Sequence, residues 1–136
     1  MILLSEIIAG LETVSDITDV YYNPETEETF LSDIGEFEDL NEDELDELFE
    51  KSIILPTRYE INEYEMMEGF IKTKNSNTLL YNQLCIAING PGAFRRFKDT
   101  CINFDIIDEW YKFRDARYRK LAIKWCNEHN IKYKED

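Results

Sequence analysis

The apolar positions of this chain keep a mixed period over its first half and a helical one over its second. Leu4, Ile7, Ile8, Leu11 and Val14 recur at helical spacing and predict a short amphipathic helix over residues 3–14. Ile17 to Tyr22 is β-branched and aromatic, Asn23-Pro24-Glu25-Thr26 is turn chemistry, and Thr29-Phe30-Leu31 resumes an extended pattern. These three stretches predict a β-hairpin. From Glu36 to Glu50, Phe37, Leu40, Leu45, Leu48 and Phe49 are set among Asp and Glu, and Asn41 with Glu44 three residues on reads as a box-like helix start. Ser52-Ile53-Ile54-Leu55, stopped by Pro56, is a short strand that would complete a three-stranded antiparallel sheet.

From Glu60 the period is helical. Ile61, Tyr64, Met67 and Ile71, with Phe70 beside them, make one apolar stripe, and Leu79, Leu80, Leu84, Ala87 and Ile88 make the next. Asn89-Gly90 ends that helix in the manner of a glycine C-cap, and Pro91 suits the first turn of another. There Phe94, Phe97, Cys101 and Phe104 step along one face. A last helix over about Ile106 to Asn127 carries Trp110, Tyr111, Tyr118, Leu121, Ala122 and Trp125, with Asn130 as its cap and Ile131-Lys132-Tyr133 as a tail that docks back. Phe94, Phe97, Trp110, Tyr118 and Trp125 are expected to share the C-terminal core.

At 136 residues the expectation is one α+β domain over 1–136, a small antiparallel sheet with N-terminal helices against a C-terminal helical bundle. Charge divides that domain into an acidic α/β half, 1–57, and a basic-aromatic helical half, 58–136. Residues 1–70 hold 21 acids against Lys51 and Arg58 alone, while 71–136 hold 13 cations against 8 acids. Such an asymmetry either pairs internally or presents two faces of opposite sign to partners. Three scattered cysteines, Cys85, Cys101 and Cys126, with one histidine read as reduced thiols and place the chain in the cytoplasm. The start Met1-Ile2-Leu3-Leu4 lacks a basic leader and is interrupted by Glu6, and no apolar run reaches the length of a membrane span, so no membrane partner is expected.

Leu55-Pro56, Tyr59-Glu60-Ile61, Glu63-Tyr64, Met67 and Phe70-Ile71, followed by Gly90-Pro91-Gly92-Ala93-Phe94-Arg95-Arg96-Phe97-Lys98-Asp99, resemble a bacterial family catalogued as Uncharacterised Protein Family 0158. Trp110-Tyr111, Phe113-Arg114, Ala122, Trp125-Cys126 and Ile131 fit the same likeness, as do the N-terminal helix and the hairpin from Tyr22 to Thr26. The family's hairpin tends to have Gly after that threonine, where this chain has Glu27, a residue that resists positive φ. The resemblance implies a single α+β domain and transfers no active site.

Candidate chemistry gathers in the second half. Gly90-Pro91-Gly92 opens a helix with Arg95, Arg96 and Lys98 in its first turns. Free amides at a helix start with cations nearby can hold a phosphate or carboxylate, so Gly92, Ala93, Arg95, Arg96 and Lys98 form a candidate anion site. The competing reading is a tight interhelical turn, since the segment follows a helix and lacks a P-loop ending. Arg114 falls on the apolar stripe of the last helix and must find a carboxylate or backbone carbonyls; Glu60, Glu63, Glu65 and Glu68 are the natural partners, and Glu60, Glu63 and Glu65 the favoured ones. Arg117, Arg119, Lys120 and Lys124 read as a solvated face. Catalytic patterns are poor: His129 stands alone, no spacing suits a metal, and nothing calls for a cofactor.

The expected function is therefore non-catalytic. The basic aromatic helices from Phe94 to Lys124 would meet an anionic partner, nucleic acid or acidic protein, by stacking and phosphate contacts. The alternative is an acidic decoy in which Glu36 to Glu50 occupies a basic surface of a nucleic-acid-binding protein. An enzyme with an anion-binding turn at Gly90–Gly92 comes third.

Overall fold

The computed structural model describes residues 1–33 and 37–136; Glu36, the first acid of the expected acidic centre, lies outside them. In chain order the elements are β1 (Ile2–Leu3), α1 (Leu4–Thr13), β2 (Val20–Asn23), β3 (Glu28–Leu31), α2 (Glu42–Lys51), β4 (Ile53–Ile54), α3 (Arg58–Ile61), α4 (Glu63–Lys72), α5 (Leu79–Ala87), α6 (Ala93–Asn103), α7 (Ile107–Glu128) and β5 (Tyr133–Lys134). The chain is α+β, and it divides into two compact units. One is Met1–Ile61 with Tyr118–Asp136, the other is Asn62–Arg117, and α7 gives its second half to the first and its first half to the second.

The first unit is built on an antiparallel sheet in the order β3-β2-β4. The hairpin runs from Val20↔Leu31 to Asn23↔Glu28, and Tyr22↔Ile53 sets the other pair. α1 covers one face through Ile7 and Leu11, and it lies close because Gly10 faces the sheet: a Cβ there would stand 3.0 Å from Leu55 Cδ2 and 3.3 Å from Val20 Cγ1. Val20, Tyr22, Leu55, Ala122, Trp125 and Cys126 complete this core. On the sheet's other face Tyr21, Phe30, Phe37 and Phe49 form a half-buried aromatic cluster that seats α2. The tail does dock back: Asn130 at φ 56° ends α7, and β5 pairs parallel to β1 with Ile2 opposite Tyr133.

The second unit is helical. The helix expected to run on from Glu60 is interrupted at Asn62, which takes φ 49° and whose Oδ1 accepts from the Glu65 amide at 3.2 Å to cap α4. Phe70, Phe97, Trp110 and Phe113 meet mostly edge-on, with Phe97 and Trp110 centroids 4.8 Å apart. Two expectations need correction. Phe94 is 39% exposed, because it stands at the open start of α6, a turn before the buried face of Phe97 and Cys101. The remaining four expected core aromatics divide, with Phe97 and Trp110 in the second unit and Tyr118 and Trp125 in the first. Leu79, the first residue of α5, is likewise exposed while Leu84 and Ala87 are buried.

The hairpin keeps a left-handed residue where a glycine would serve: Glu27 has φ 58°. An L-residue there costs about 1–2 kcal/mol, so Glu27→Gly should stabilise the chain by about 1 kcal/mol after the unfolded-state entropy of glycine is counted. An unchanged or lowered denaturant midpoint would show that the Glu27 side chain matters more than its backbone.

Burial pushes the Cys101 thiol up to about 11 and the Cys126 thiol up to about 11, and raises the Tyr22 phenol, with Glu27 and Cys126 as lesser causes. Below pH 9 both folded and unfolded chains hold these thiol protons. Between pH 9 and 11 the unfolded chain loses them first, so stability should fall across that window and level off above it. Equilibrium unfolding across pH 8–11 checks this, with Cys101→Ala/Cys126→Ala expected to flatten the decline.

Candidate functional site

Three places carry the candidate chemistry: the turn into α6, the first half of α7, and the surface of α2. At the turn, Gly90 and Gly92 both take left-handed conformations, at φ 79° and φ 78°, which glycine alone adopts without strain. Gly92 is the N-cap of α6, and Pro91 therefore precedes the cap and lies outside the first turn. Arg96 folds its guanidinium back over this turn. Nε donates to the Ala87 carbonyl at 3.0 Å, Nη2 to Gly90 at 3.3 Å and also to Asn89, and Nη1 to Pro91. A Cβ on Gly92 would stand 3.0 Å from Nη1, so the glycine leaves the space that the guanidinium occupies. One side chain thus satisfies the carbonyls that the end of α5 and the following turn leave open. Of the five residues selected as an anion site, Arg96 is committed to carbonyls, Arg95 and Lys98 are exposed without an ion pair among the described residues, and Gly92 and Ala93 form the helix start.

In the second unit half of the eight cations have internal work. Arg114 pairs with Glu63, Nη2 to Oε1 at 2.8 Å and Nε to Oε1 at 3.0 Å, with the two side chains 23% and 30% exposed. The other two candidate carboxylates act locally: Glu60 accepts from the Thr57 amide and hydroxyl at 3.1 Å, and Glu65 stands 3.5 Å from Asn62 Nδ2 at the start of α4. Lys74 pairs with Glu109 at 3.1 Å and lies 4.7 Å over the Phe70 ring. Arg117 is half-buried over Phe113 at 4.9 Å and beside Gly69, where a Cβ would stand 2.9 Å from its Nη2. Its place on a solvated face was the sequence expectation, and Gly69, which admits it, carries no periodic signal that would have marked it.

The acids are distributed otherwise. The first unit carries 21 acidic and 7 basic residues, the second 8 of each, so the net charge of -14 resides in the first. Its densest part is α2, where Glu42, Asp43, Glu44, Asp46, Glu47 and Glu50 are all exposed. Asn41 Oδ1 caps the helix by accepting from the Glu44 amide at 2.8 Å. Lys51, the only cation of α2, pairs away from the helix with Glu25 at 2.9 Å, and none of the six acids has an ion pair among the described residues. No residue of α2 is fully buried; Leu45, Leu48 and Phe49 are half-buried beneath the acids.

A family model described as Uncharacterised protein family (UPF0158) matches residues 15–136. The chain belongs to that family. No curated protein and no solved structure matches this UPF0158 chain. Among its described residues no group of three or more His, Cys, Asp or Glu could hold a metal ion, and no helix is long and apolar enough to cross a membrane. His129 stands 5.2 Å from the Trp125 ring, beside an open cleft of about 520 Å³ whose floor is Ile54, Leu55, Pro56 and Leu121.

Two outcomes follow from these geometries. Arg96→Lys keeps the charge but cannot reach several carbonyls at once, and it should lower stability by about 1–3 kcal/mol. An equal denaturant midpoint for the lysine variant would show that charge alone suffices. For Arg114 and Glu63, both partly solvated, a double-mutant cycle should return a coupling of about 1 kcal/mol, below the value for a fully buried pair. A coupling near zero would mark the pair as a surface contact.

Proposed function

We propose that this UPF0158 chain is a non-catalytic binding module that sets the acidic face of α2 against a basic surface on a protein partner, of the kind that otherwise meets nucleic-acid phosphate. The observation that carries this reading is the arrangement of α2: six exposed acids, none with an ion pair among the described residues, on a helix with no fully buried residue. Glu42/Asp46, Asp43/Glu47 and Asp46/Glu50 are like-charge pairs four apart, which together destabilise the helix by about 1 kcal/mol. Three first-turn acids favour the helix dipole and Glu47 stands four residues before Lys51, but Asp46 and Glu50 have no such local reason to be there. A basic partner would supply the counter-charge that the chain itself does not.

Several of the rings and cations that the anionic-partner reading needs are engaged internally in this fold, while Phe94 and Tyr111 stay exposed. Phe97, Trp110 and Trp125 are buried, Arg96 is bound to carbonyls, and Arg114, Lys74 and Arg117 hold an acid, an acid with a ring, and a ring. Lys72, Arg95, Lys98 and Lys112 are left as exposed cations of a unit whose charges balance.

The variant Asp46→Asn/Glu47→Gln/Glu50→Gln removes all three repulsive pairs and keeps the first turn. It should be about 1 kcal/mol more stable than the natural chain. In affinity capture from native lysate, the natural chain is expected to retain basic proteins after nuclease treatment and to release them at about 0.5 M salt, while the variant retains none. Equal capture by both would remove α2 from the interface. A catch lost entirely to nuclease would instead favour the anionic-partner reading.

A further inference from the structure

The three-stranded sheet of the first unit has two outer edges, and they are treated differently. The hydrogen bond from Leu55 N to Val20 O, at 2.8 Å, turns Val20 and Tyr22 toward β4, and the bond from Ser32 N to Asp19 O, at 2.9 Å, turns Tyr21 and Asn23 toward β3. By the alternation of an antiparallel ladder, Ile54 of β4 then points its backbone outward, as do Thr29 and Leu31 of β3. At β4 the outward carbonyl is taken: Trp125 Nε1 donates to Ile54 O at 2.9 Å. At β3 the outward amides and carbonyls of Thr29 and Leu31 have no partner among the described residues. An unpaired edge of this kind is a template for another strand, and folds usually blunt it.

Beside this edge lies a groove of about 470 Å³ between β3 and α1. Its α1 wall is Glu6, Ala9, Gly10 and Thr13, one helix face, and the small pair Ala9 and Gly10 leaves the room. Thr29 faces this wall, its Cγ2 lying 4.0 Å from where a Cβ on Gly10 would stand, while Glu28 and Phe30 face the opposite side. A strand added beside β3 would therefore send alternate side chains into the groove, toward Glu6, and the others past Glu28. Both glutamates are exposed and neither has an ion pair among the described residues.

We propose that the edge of β3 binds an extended basic peptide as a fourth strand, with main-chain hydrogen bonds to Thr29 and Leu31 and Lys or Arg side chains beside Glu6 and Glu28. Charge selects this occupant over a second copy of the chain, which would bring another net -14 and set its own Glu28 against this one. The site stands on the edge and the groove, and it does not rest on the reading of α2.

The probe is an acetylated, amidated peptide of alternating Lys and Val, titrated into the full chain while backbone amides are followed by NMR. Thr29 and Leu31 amides should shift and become protected from exchange at low salt, and affinity should fall at about 0.5 M salt. Thr29→Pro removes one outward amide without touching the β2 ladder, and an edge strand tolerates it; it should weaken binding by at least about tenfold. Ala9→Leu, at an exposed helix position, fills the groove and should weaken binding similarly, which keeps the proposal testable if the proline variant folds poorly. The α2 variant Asp46→Asn/Glu47→Gln/Glu50→Gln should bind the peptide as the natural chain does. The proposal is overturned by shifts confined to α2 amides, by equal binding of an alternating Glu and Val peptide, or by affinity unchanged in Ala9→Leu. Concentration-dependent protection of Thr29 and Leu31 without peptide would overturn it in favour of a second copy, and no shift at low salt would leave the edge without an occupant.

Discussion

The first unit turns on one hydrogen bond, from Trp125 Nε1 to the Ile54 carbonyl at 2.9 Å, which joins positions 71 residues apart. The indole is buried, and its N–H meets an outward strand carbonyl that also needs a donor. The same ring meets Tyr22 edge-on at 6.0 Å, so the end of α7 is held to β4 and to the central strand at once. Two short strands with a third of two residues would be marginal alone; a helix packed on them makes the sheet stable. The indole takes the outward carbonyl of β4, whereas the outward carbonyls of β3 have no partner among the described residues.

Charge imposes the second constraint. With 21 acids against 7 cations, the first unit cannot neutralise itself, and its carboxylates are left on its surface. The second unit balances 8 against 8 and engages four of its cations inside its own structure, Arg114 on a carboxylate, Lys74 on a carboxylate and a ring, Arg117 on a ring and Arg96 on carbonyls. Acidity over the first part of the chain is thus a property of a surface, whereas folding takes up about half of the second unit's cations. The binding roles proposed for α2 and the β3 edge start from this difference.

The turn between α5 and α6 shows how a site-like pattern and a packing device draw on the same residues. Glycines at positive φ, a proline and an arginine at a helix start resemble an anion cradle, and the same residues are what a tight helix connection requires. The guanidinium of Arg96 is directed at carbonyl oxygens, so this one side chain serves the turn, while Arg95 and Lys98 stay exposed beside it.

The sequence by itself determined the α+β class, the hairpin, the cap at Asn41 and the tail at Ile131 to Tyr133. Each of these depends on local periodicity or on a residue's own backbone preference, which neighbours in the chain already express. It also marked Arg114 as needing a carboxylate, since a cation on an apolar stripe carries that demand with it. Only the tertiary structure decided which of three glutamates would answer, and it chose Glu63. Only the tertiary structure set Phe94 outside and Phe97 inside, broke the helix at Asn62, and folded Arg96 onto its own turn. The edge of β3 was equally invisible in the chain, because which strand lies outermost is settled by the pairing of β2 with β4 and by the distant Trp125, and no local pattern encodes either.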